Sequence, residues 1–224
     1  MDPTARHDGS AYREGPAEGT PPGEPAPRGD PARAPADPAA GTGGPLAALI
    51  ARASELGGGA APVHKWNPEH CGPIPMRIAA DGTWFYNGTP ILRDRLVRLF
   101  ASILRREADG EFVLVTPIEK VGIEVEDAPF QAVELVVEGE GEDAGLTVRT
   151  NMGDVVTVGR EHPLRVRLDP RNDGFIPYVR VRGALDARFT RPAAMELAEL
   201  ATARDDGSLV VWSGGITFPL GDRH

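Results

Sequence analysis

The 224 residues carry a formal net charge of -9, which argues against nucleic acid as the main partner because contacts to phosphates need a basic surface. A single cysteine, Cys71, excludes an intrachain disulfide framework, and no apolar run is long enough to span a bilayer, so we expect no membrane partner. The N-terminus shows no basic segment followed by an apolar core, which predicts no secretory signal and, with the lone cysteine, a cytoplasmic protein.

The chain opens with a low-complexity segment. Residues 1–45 consist mainly of Pro, Gly, Ala and charged residues, with Tyr12 as the only aromatic residue. Such a composition cannot bury enough apolar surface to offset the entropy lost on ordering, so we predict that residues 1–45 form a disordered tail. The remainder, about 180 residues, is long enough to build a hydrophobic core.

A short helix and a hairpin are predicted next. Residues 46–56 place apolar side chains at helical spacing and end at three glycines. Residues 76–78 and 83–86 predict a hairpin around Asp81-Gly82, because this dipeptide supplies the positive φ that a tight turn requires. The proline-rich stretch before the hairpin predicts an irregular connector.

A helix-to-strand unit then occurs twice. Predicted helices over residues 93–107 and 192–203 each lead through an Asp-Gly turn into a strand. The predicted strands after the hairpin cover residues 112–115, 121–125, 132–137, 145–149, 155–158, 164–168, 178–181, 209–212 and 216–218. These patterns predict an α+β fold with an internal duplication: two related halves, residues 46–130 and 131–224, each a mostly antiparallel sheet with a helix packed on it.

The two copies differ most in the loop after the strand that follows each Asp-Gly. The second copy has the short link Ser-Gly-Gly at residues 213–215, whereas the first has Thr-Pro-Ile-Glu-Lys at residues 116–120, which we expect to be longer. Lys120 is also one of only two lysines, with Lys65, among 24 Lys plus Arg, and lysine suits a position that needs a flexible point charge. Because scaffolds position loops and loops carry sites, we expect the first loop to belong to a functional site.

Several segments of the chain together resemble one known family pattern. They are Trp66-Asn67-Pro68-Glu69-His70-Cys71-Gly72, Met76-Arg77-Ile78, Asp81-Gly82-Thr83-Trp84, Gly88-Thr89-Pro90-Ile91, Leu114-Val115-Thr116-Pro117, Glu119-Lys120-Val121 and Val125-Glu126-Asp127-Ala128-Pro129-Phe130. The pattern is similar to that of the uncharacterised bacterial domain-of-unknown-function family 1285, strongly over residues 66–130 and more loosely beyond. The resemblance implies repeated α+β motifs and a signalling or ligand-binding role, and it supplies no established activity and no catalytic residues.

Other chemistries can be drawn from residue types alone. A metal site would use His64, His70, Cys71 and His162, whose spacing matches no zinc pattern, so we expect no metal. A nucleophilic Cys71 lacks a helix N-terminus that would lower the pKa of its thiol. Glu124 and Glu126 share a strand face and could act as an acid–base pair, although their alternation with Val and Ile is typical of a solvated face. No phosphate-binding glycine loop, nucleophile elbow or kinase signature appears, so we expect no cofactor and no catalytic residue.

These observations predict a non-enzymatic protein whose first half binds a small polar or anionic ligand. The candidate site residues are Trp66, Arg93, Thr116, Glu119, Lys120 and Phe130. Arg93 supports this hypothesis because a cation at the start of a helix opposes the helix dipole. Three alternatives remain open: a plain hairpin turn with an exposed ion pair at residues 116–120, a protein–protein adaptor that uses an exposed sheet edge with the tail as tether, and an unrecognised hydrolase that uses Lys120 or Cys71.

Overall fold

The computed structural model describes residues 45–56, 61–169 and 174–222, which all lie within one compact unit of the chain. The tail predicted over residues 1–45 falls outside the described residues except for Pro45. Of the described residues, 47% lie in strands and 20% in helical segments. None of the α-helices within these ranges has both the length and the apolar character needed to cross a membrane.

The first sheet contains six strands and includes the predicted hairpin. In chain order they are β1 (His70–Ile78), β2 (Trp84–Tyr86), β3 (Thr89–Pro90), β4 (Leu104–Arg106), β5 (Phe112–Val115) and β6 (Lys120–Val125). In space the order is β3-β2-β1-β6-β5-β4, with β1 and β6 parallel and the other neighbours antiparallel. The hairpin is confirmed, since Ile78 lies opposite Trp84.

The rest of the chain forms a second six-stranded sheet and a three-stranded one. The second sheet contains β7 (Phe130–Glu138), β8 (Gly145–Thr150), β9 (Val155–Thr157), β10 (Leu164–Asp169), β11 (Gly174–Arg182) and β12 (Leu185–Phe189). Its order is β10-β11-β12-β7-β8-β9, with β12 and β7 parallel. The third sheet is an antiparallel run of β13 (Thr202–Ala203), β14 (Ser208–Ser213) and β15 (Ile216–Asp222), and β15 contacts β10.

The helices are α1 (Pro45–Glu55), α2 (Asp94–Ser102) and α3 (Arg191–Glu199). The first predicted helix is confirmed as α1. The two repeat helices are shorter than predicted, and both end earlier because a strand replaces the last part of each predicted helix. The backbone of β4 pairs with β5, and that of β13 pairs with β14, at positions that we predicted to be helical. Apolar side chains such as Leu104 continue the helical spacing, but a short apolar run fits a strand equally well. Pairing with a neighbouring strand makes these residues extended instead of helical.

The expectation of an α+β fold, with each half a mostly antiparallel sheet and a helix packed on it, is wrong. The described chain is mostly sheet, arranged as three sheets with three α-helices, and helix packing makes a minor contribution. The strands that sequence patterns missed are β3, β4, β12 and β13, which are two to five residues long. Short segments carry only a weak periodic pattern, so the sequence reveals some of them, such as β2 and β5, and misses others.

The duplication itself is confirmed. The first copy runs from α2 through β4, β5 and β6, and the second runs from α3 through β13, β14 and β15, each as an antiparallel meander. The strands before each helix also correspond, because β1, β2 and β3 form an antiparallel run like β10, β11 and β12. The strand β1 lies beside β6 as β10 lies beside β15. The division into units 46–130 and 131–224 remains a prediction.

Each helix contributes side chains to a core between the sheets. Leu46, Leu49 and Ala53 of α1 are buried in the same cluster as Phe100 of α2. The ring of Phe100 stacks on that of Trp84 with 6.2 Å between the centroids. The core therefore packs α2 over one face of the first sheet.

Candidate functional site

The parallel pairing of β1 with β6 is irregular. The register pairs are His70 with Lys120, Pro73 with Gly122 and Arg77 with Glu124. The strand β1 therefore uses more residues than β6 over the same length, and its prolines 73 and 75 have no N–H to donate to β6. An open groove of about 460 Å³ lies here, lined by both strands and by Glu111. The proline-rich stretch predicted as a connector thus forms the start of β1.

His70 and Glu111 meet above Gly122. His70 Nε2 lies 3.2 Å from Glu111 Oε1, and the backbone N–H of Gly72 donates to His70 Nδ1 at 3.2 Å. Because Nδ1 accepts this hydrogen bond, a ring with one proton carries it on Nε2 and donates it to Glu111. A Cβ at position 122 would lie 2.5 Å from Glu111 Oε1. Glycine at this position therefore leaves the space that the contact occupies.

Lys120 lies in a cluster with Arg105 and Glu107. Lys120 Nζ is 3.5 Å from Glu107 Oε1, and Arg105 Nη2 donates to the same oxygen at 2.5 Å. Arg105 Nη1 also donates to the carbonyl oxygens of Val63 and Trp66, at 2.7 and 2.6 Å. The guanidinium thus holds the segment before β1 in place. The ammonium of Lys120, which has three N–H donors, makes this single ion-pair contact among the residues that the structure describes.

Thr116 and Glu119 belong to a tight turn. The backbone N–H of Thr116 donates to Glu119 O at 2.9 Å, and Thr116 Oγ1 accepts from the N–H of Glu119 at 3.2 Å. Thr116 is fully buried. The carboxylate of Glu119 forms an ion pair with Arg52 of α1. Both side chains therefore have structural partners: one holds the turn, and the other attaches α1 to it.

The remaining predicted site residues lie elsewhere. Arg93 is an exposed residue that immediately precedes α2. Phe130 begins β7 and is fully buried, with the guanidinium carbon of Arg182 4.7 Å from its ring centroid. The described contacts join Lys120 to the backbone of Trp66 through Arg105 and Glu107, whereas Phe130 belongs to the core.

The second copy carries different side chains at the corresponding positions. The backbone N–H of Gly110 donates to Glu107 O, and that of Gly207 donates to Arg204 O in the same way. The matching positions are Glu107 and Arg204, Glu111 and Ser208, and Lys120 and Thr217. The duplicated scaffold therefore does not require the lysine–carboxylate pair or the histidine–carboxylate contact, which are particular to the first copy.

The two loops that we compared in the sequence have the same length. Thr116 bonds to Glu119 across the first loop, and Ser213 pairs with Ile216 across the second. The expectation of a longer first loop is wrong. The counterparts of Glu119 and Lys120 in the second copy are Ile216 and Thr217, which already belong to strand β15. The first loop differs in its chemistry and not in its length.

Sequence reasoning did not assign Arg105, Glu107 or Glu111 to the site. A signal for them was present, since the position of Glu107 in the first copy holds an arginine in the second. The contact with His70 left no such signal, because it depends on the register between β1 and β6. Residues brought together by a parallel pairing of distant segments cannot be found from local spacing.

The other candidate chemistries are not assembled. The exposed thiol of Cys71 lies 3.7 Å from Glu69 O, and the ring of His70 is engaged by Gly72 and Glu111. Within the described ranges, no group of three or more His, Cys, Asp and Glu side chains could hold a metal ion. The carboxylate of Glu126 forms an ion pair with Arg77 and accepts a hydrogen bond from the N–H of Ala80, so Glu124 and Glu126 do not form an acid–base pair.

The link between the halves carries a nearly buried carboxylate. Asp127 accepts hydrogen bonds from Tyr178 at 2.9 Å and from Arg167 and Arg188 at 3.0 Å. Burial of the phenol, followed by the hydrogen bond and the charge of Asp127, raises the pKa of Tyr178 to about 12. This cluster ties the link to β10, β11 and β12, and we assign it a structural role.

Two family models match the chain. Residues 61–128 match the domain of unknown function (DUF1285), N-terminal domain, and residues 129–220 match the protein of unknown function (DUF1285), C-terminal domain. No curated protein matches the chain.

Two crystal structures of other proteins are similar to the structure of this chain. A DUF1285 family protein from Silicibacter pomeroyi DSS-3 is 48% identical with a TM-score of 0.73, and the match covers 78% of this chain and 94% of that one. A DUF1285 family protein from Shewanella baltica OS155 is 29% identical with a TM-score of 0.44, and the match covers 56% of this chain and 91% of that one. From the family models and the Silicibacter structure, this chain belongs to the DUF1285 family.

Proposed function

We propose that the chain is a cytoplasmic, non-enzymatic ligand-binding module whose first half binds a small polar molecule with an anionic group. The observation that carries the proposal is Lys120, whose side chain is 16% exposed and whose ammonium makes one ion pair among the described residues, with Glu107 Oε1 at 3.5 Å. The ammonium has three N–H donors, so Lys120 can donate to further acceptors besides Glu107. A carboxylate or phosphate of a ligand supplies them.

The neighbouring groove accommodates the rest of such a ligand. Its volume of about 460 Å³ lies in the range of small-molecule sites. Lys120 and Gly122 are two residues apart on β6 and so face the same side of the sheet. Glu111 and Glu124 line the groove and can accept hydrogen bonds from amino or hydroxyl groups. An α-amino acid is the simplest molecule that combines these groups with a carboxylate.

Pairing of a partner protein with a sheet edge ranks second as a function. The edge strands of the first sheet are β3 and β4, with two and three residues. Edges of this length offer a partner few backbone hydrogen bonds. A hydrolase ranks third because a nucleophilic Cys71 needs a base, and His70 is engaged elsewhere. The signalling role that the family resemblance suggests would depend on the same ligand site.

Thermal-shift screening of the full chain against amino acids, nucleotides and inorganic phosphate tests the proposal. We expect one of these classes to raise the Tm of the wild-type protein, and Lys120→Ala to weaken that ligand's binding at least about tenfold. Lys65→Ala is the matched control, since it removes the other lysine of the chain at an exposed position in the short 3₁₀ turn before β1. Cys71→Ala should also bind normally.

Two outcomes would contradict the ligand site. The first is the absence of a shift with every compound class. The second is equal binding by the wild-type protein and Lys120→Ala. A protein that co-purifies with the chain, together with no small-molecule shift, would favour the adaptor instead.

A further inference from the structure

A second groove lies in the other half of the chain, between α3 and the strands β11 and β12. Its volume is about 400 Å³, and it is lined mainly by apolar side chains. Phe175 and Pro177 come from β11 and Phe189 from β12, while Ala194 and Met195 come from α3. Met195 is 59% exposed and therefore accessible to a ligand. Its side chain is flexible and polarisable, which lets it adapt to apolar ligands.

Two arginines line the same groove. Arg188 donates to Asp127 at 3.0 Å and remains 30% exposed. Arg191 is exposed, and no ion pair holds it within the part of the chain that the structure describes. An apolar groove with a guanidinium that lacks a counter-charge is complementary to a molecule that is apolar along its length and anionic at one end.

The helix positions of the first copy that match Arg191 and Met195 carry different side chains. Arg191 and Met195 correspond to Asp94 and Arg98 of α2, so a carboxylate stands at the position of Arg191 and a guanidinium at that of Met195. The strands β2 and β3 have three and two residues, whereas β11 and β12 have nine and five. The longer strands and the exposed Met195 that line the groove are therefore particular to the second copy.

We propose that this groove binds a free, single-chain amphipathic anion of the fatty-acid class. Its hydrocarbon chain lies along Phe175, Phe189 and Met195, and its carboxylate contacts Arg191, with Arg188 at the same rim. Burial of methylene groups against these side chains supplies most of the affinity, and the arginines select the anionic end. The site is separate from the Lys120 cluster, which lies on the first sheet.

Calorimetric titration of the full chain with decanoate, below its micelle concentration, tests the proposal. We expect saturable binding of one decanoate per chain. Butyrate, which keeps the charge but loses the tail, and decyltrimethylammonium, which keeps the tail but reverses the charge, should each bind at least about tenfold more weakly.

Variants separate the two parts of the groove. Arg191→Gln should weaken decanoate binding about tenfold and leave decyltrimethylammonium binding no weaker, whereas Met195→Glu should weaken the binding of both. Arg95→Gln, which removes an exposed helix arginine in the first copy, is the matched control and should bind normally. Both groove positions are exposed, so we expect the variants to keep the Tm of the wild-type protein.

Three results would overturn the proposal. One is equal binding of decanoate and decyltrimethylammonium. Another is undiminished decanoate binding by both Arg191→Gln and Met195→Glu. The third is binding to phosphatidylglycerol vesicles without binding to free decanoate, which would identify a membrane surface as the partner.

Discussion

Tyr178, which contacts Asp127 in the link between the halves, makes the stability of the protein depend on pH. Its hydroxyl donates to Asp127, and burial together with this carboxylate raises the pKa of Tyr178 from 10.0 to about 12. A pKa that is higher in the folded than in the unfolded protein favours folding at every pH below the unfolded value. This contribution is fully present below pH 10 and is lost as the pH rises toward 12.

We therefore expect Tyr178 to ionise late in a titration followed by tyrosinate absorbance. Tyr178→Phe should remove the late component. Asp127→Asn should lower the pKa of Tyr178 without restoring it to 10, because burial is the largest cause of the shift. A late component that persists in Tyr178→Phe would show that the assignment is wrong.

At the scale of elements, the irregular pairing of β1 with β6 creates the proposed ligand site. Gly122→Ala would place a Cβ 2.5 Å from Glu111 Oε1, so we expect the carboxylate to move and its contact with His70 to break. Glu111 is 41% exposed and can move into solvent, so the loss of stability should stay below about 1 kcal/mol. The chemical shift of His70 Nε2, the atom that loses its carboxylate partner, reports the broken contact.

Gly145→Ala is the matched control for this substitution. It also adds a methyl group to a strand glycine, but the nearest atom lies 3.8 Å away, which is ordinary packing. An unchanged chemical shift of His70 Nε2 in Gly122→Ala would contradict the role of Gly122.

Elements also show what the sequence can and cannot predict. The strand β5 was predicted with the bounds that the structure has, because an Asp-Gly turn precedes it and its apolar residues follow without interruption. The sequence singles out Lys120 as a candidate because it is one of two lysines and differs from its counterpart in the second copy, and its role in binding stays a prediction. The ends of α2 and α3, in contrast, depend on the pairing of β4 and β13 with their neighbours. The burial of Phe130 depends on its position opposite Ala187. Local periodicity reveals neither these helix ends nor this burial.

At the scale of the whole molecule, Arg182 joins elements from both copies. Its guanidinium donates to Ala101 O of α2 at 2.8 Å, pairs with Asp154 after β8, and lies over the ring of Phe130. We expect Arg182→Ala to lower the free energy of unfolding by about 2 kcal/mol, because charged hydrogen bonds are lost and their partners remain. Chemical denaturation with fluorescence and circular dichroism measures this change.

Arg149→Ala is the control for that substitution. The side chains of Arg149 and its partner Glu134 are 52% and 47% exposed, so the loss of their ion pair should cost less than about 1 kcal/mol. Equal destabilisation by the two substitutions would show that Arg182 has no special role in joining the copies.

The parallel pairing of β7 with β12 has a consequence for the order in which the chain folds. The strand β7 follows the first copy directly, yet its neighbour β12 is synthesised only after four further strands. Until then the β7–β8–β9 meander has an unpaired edge and exposes apolar side chains. Contacts between distant segments form slowly and leave such edges open to wrong pairing. During translation, the middle of this chain is therefore the part most in need of protection from aggregation.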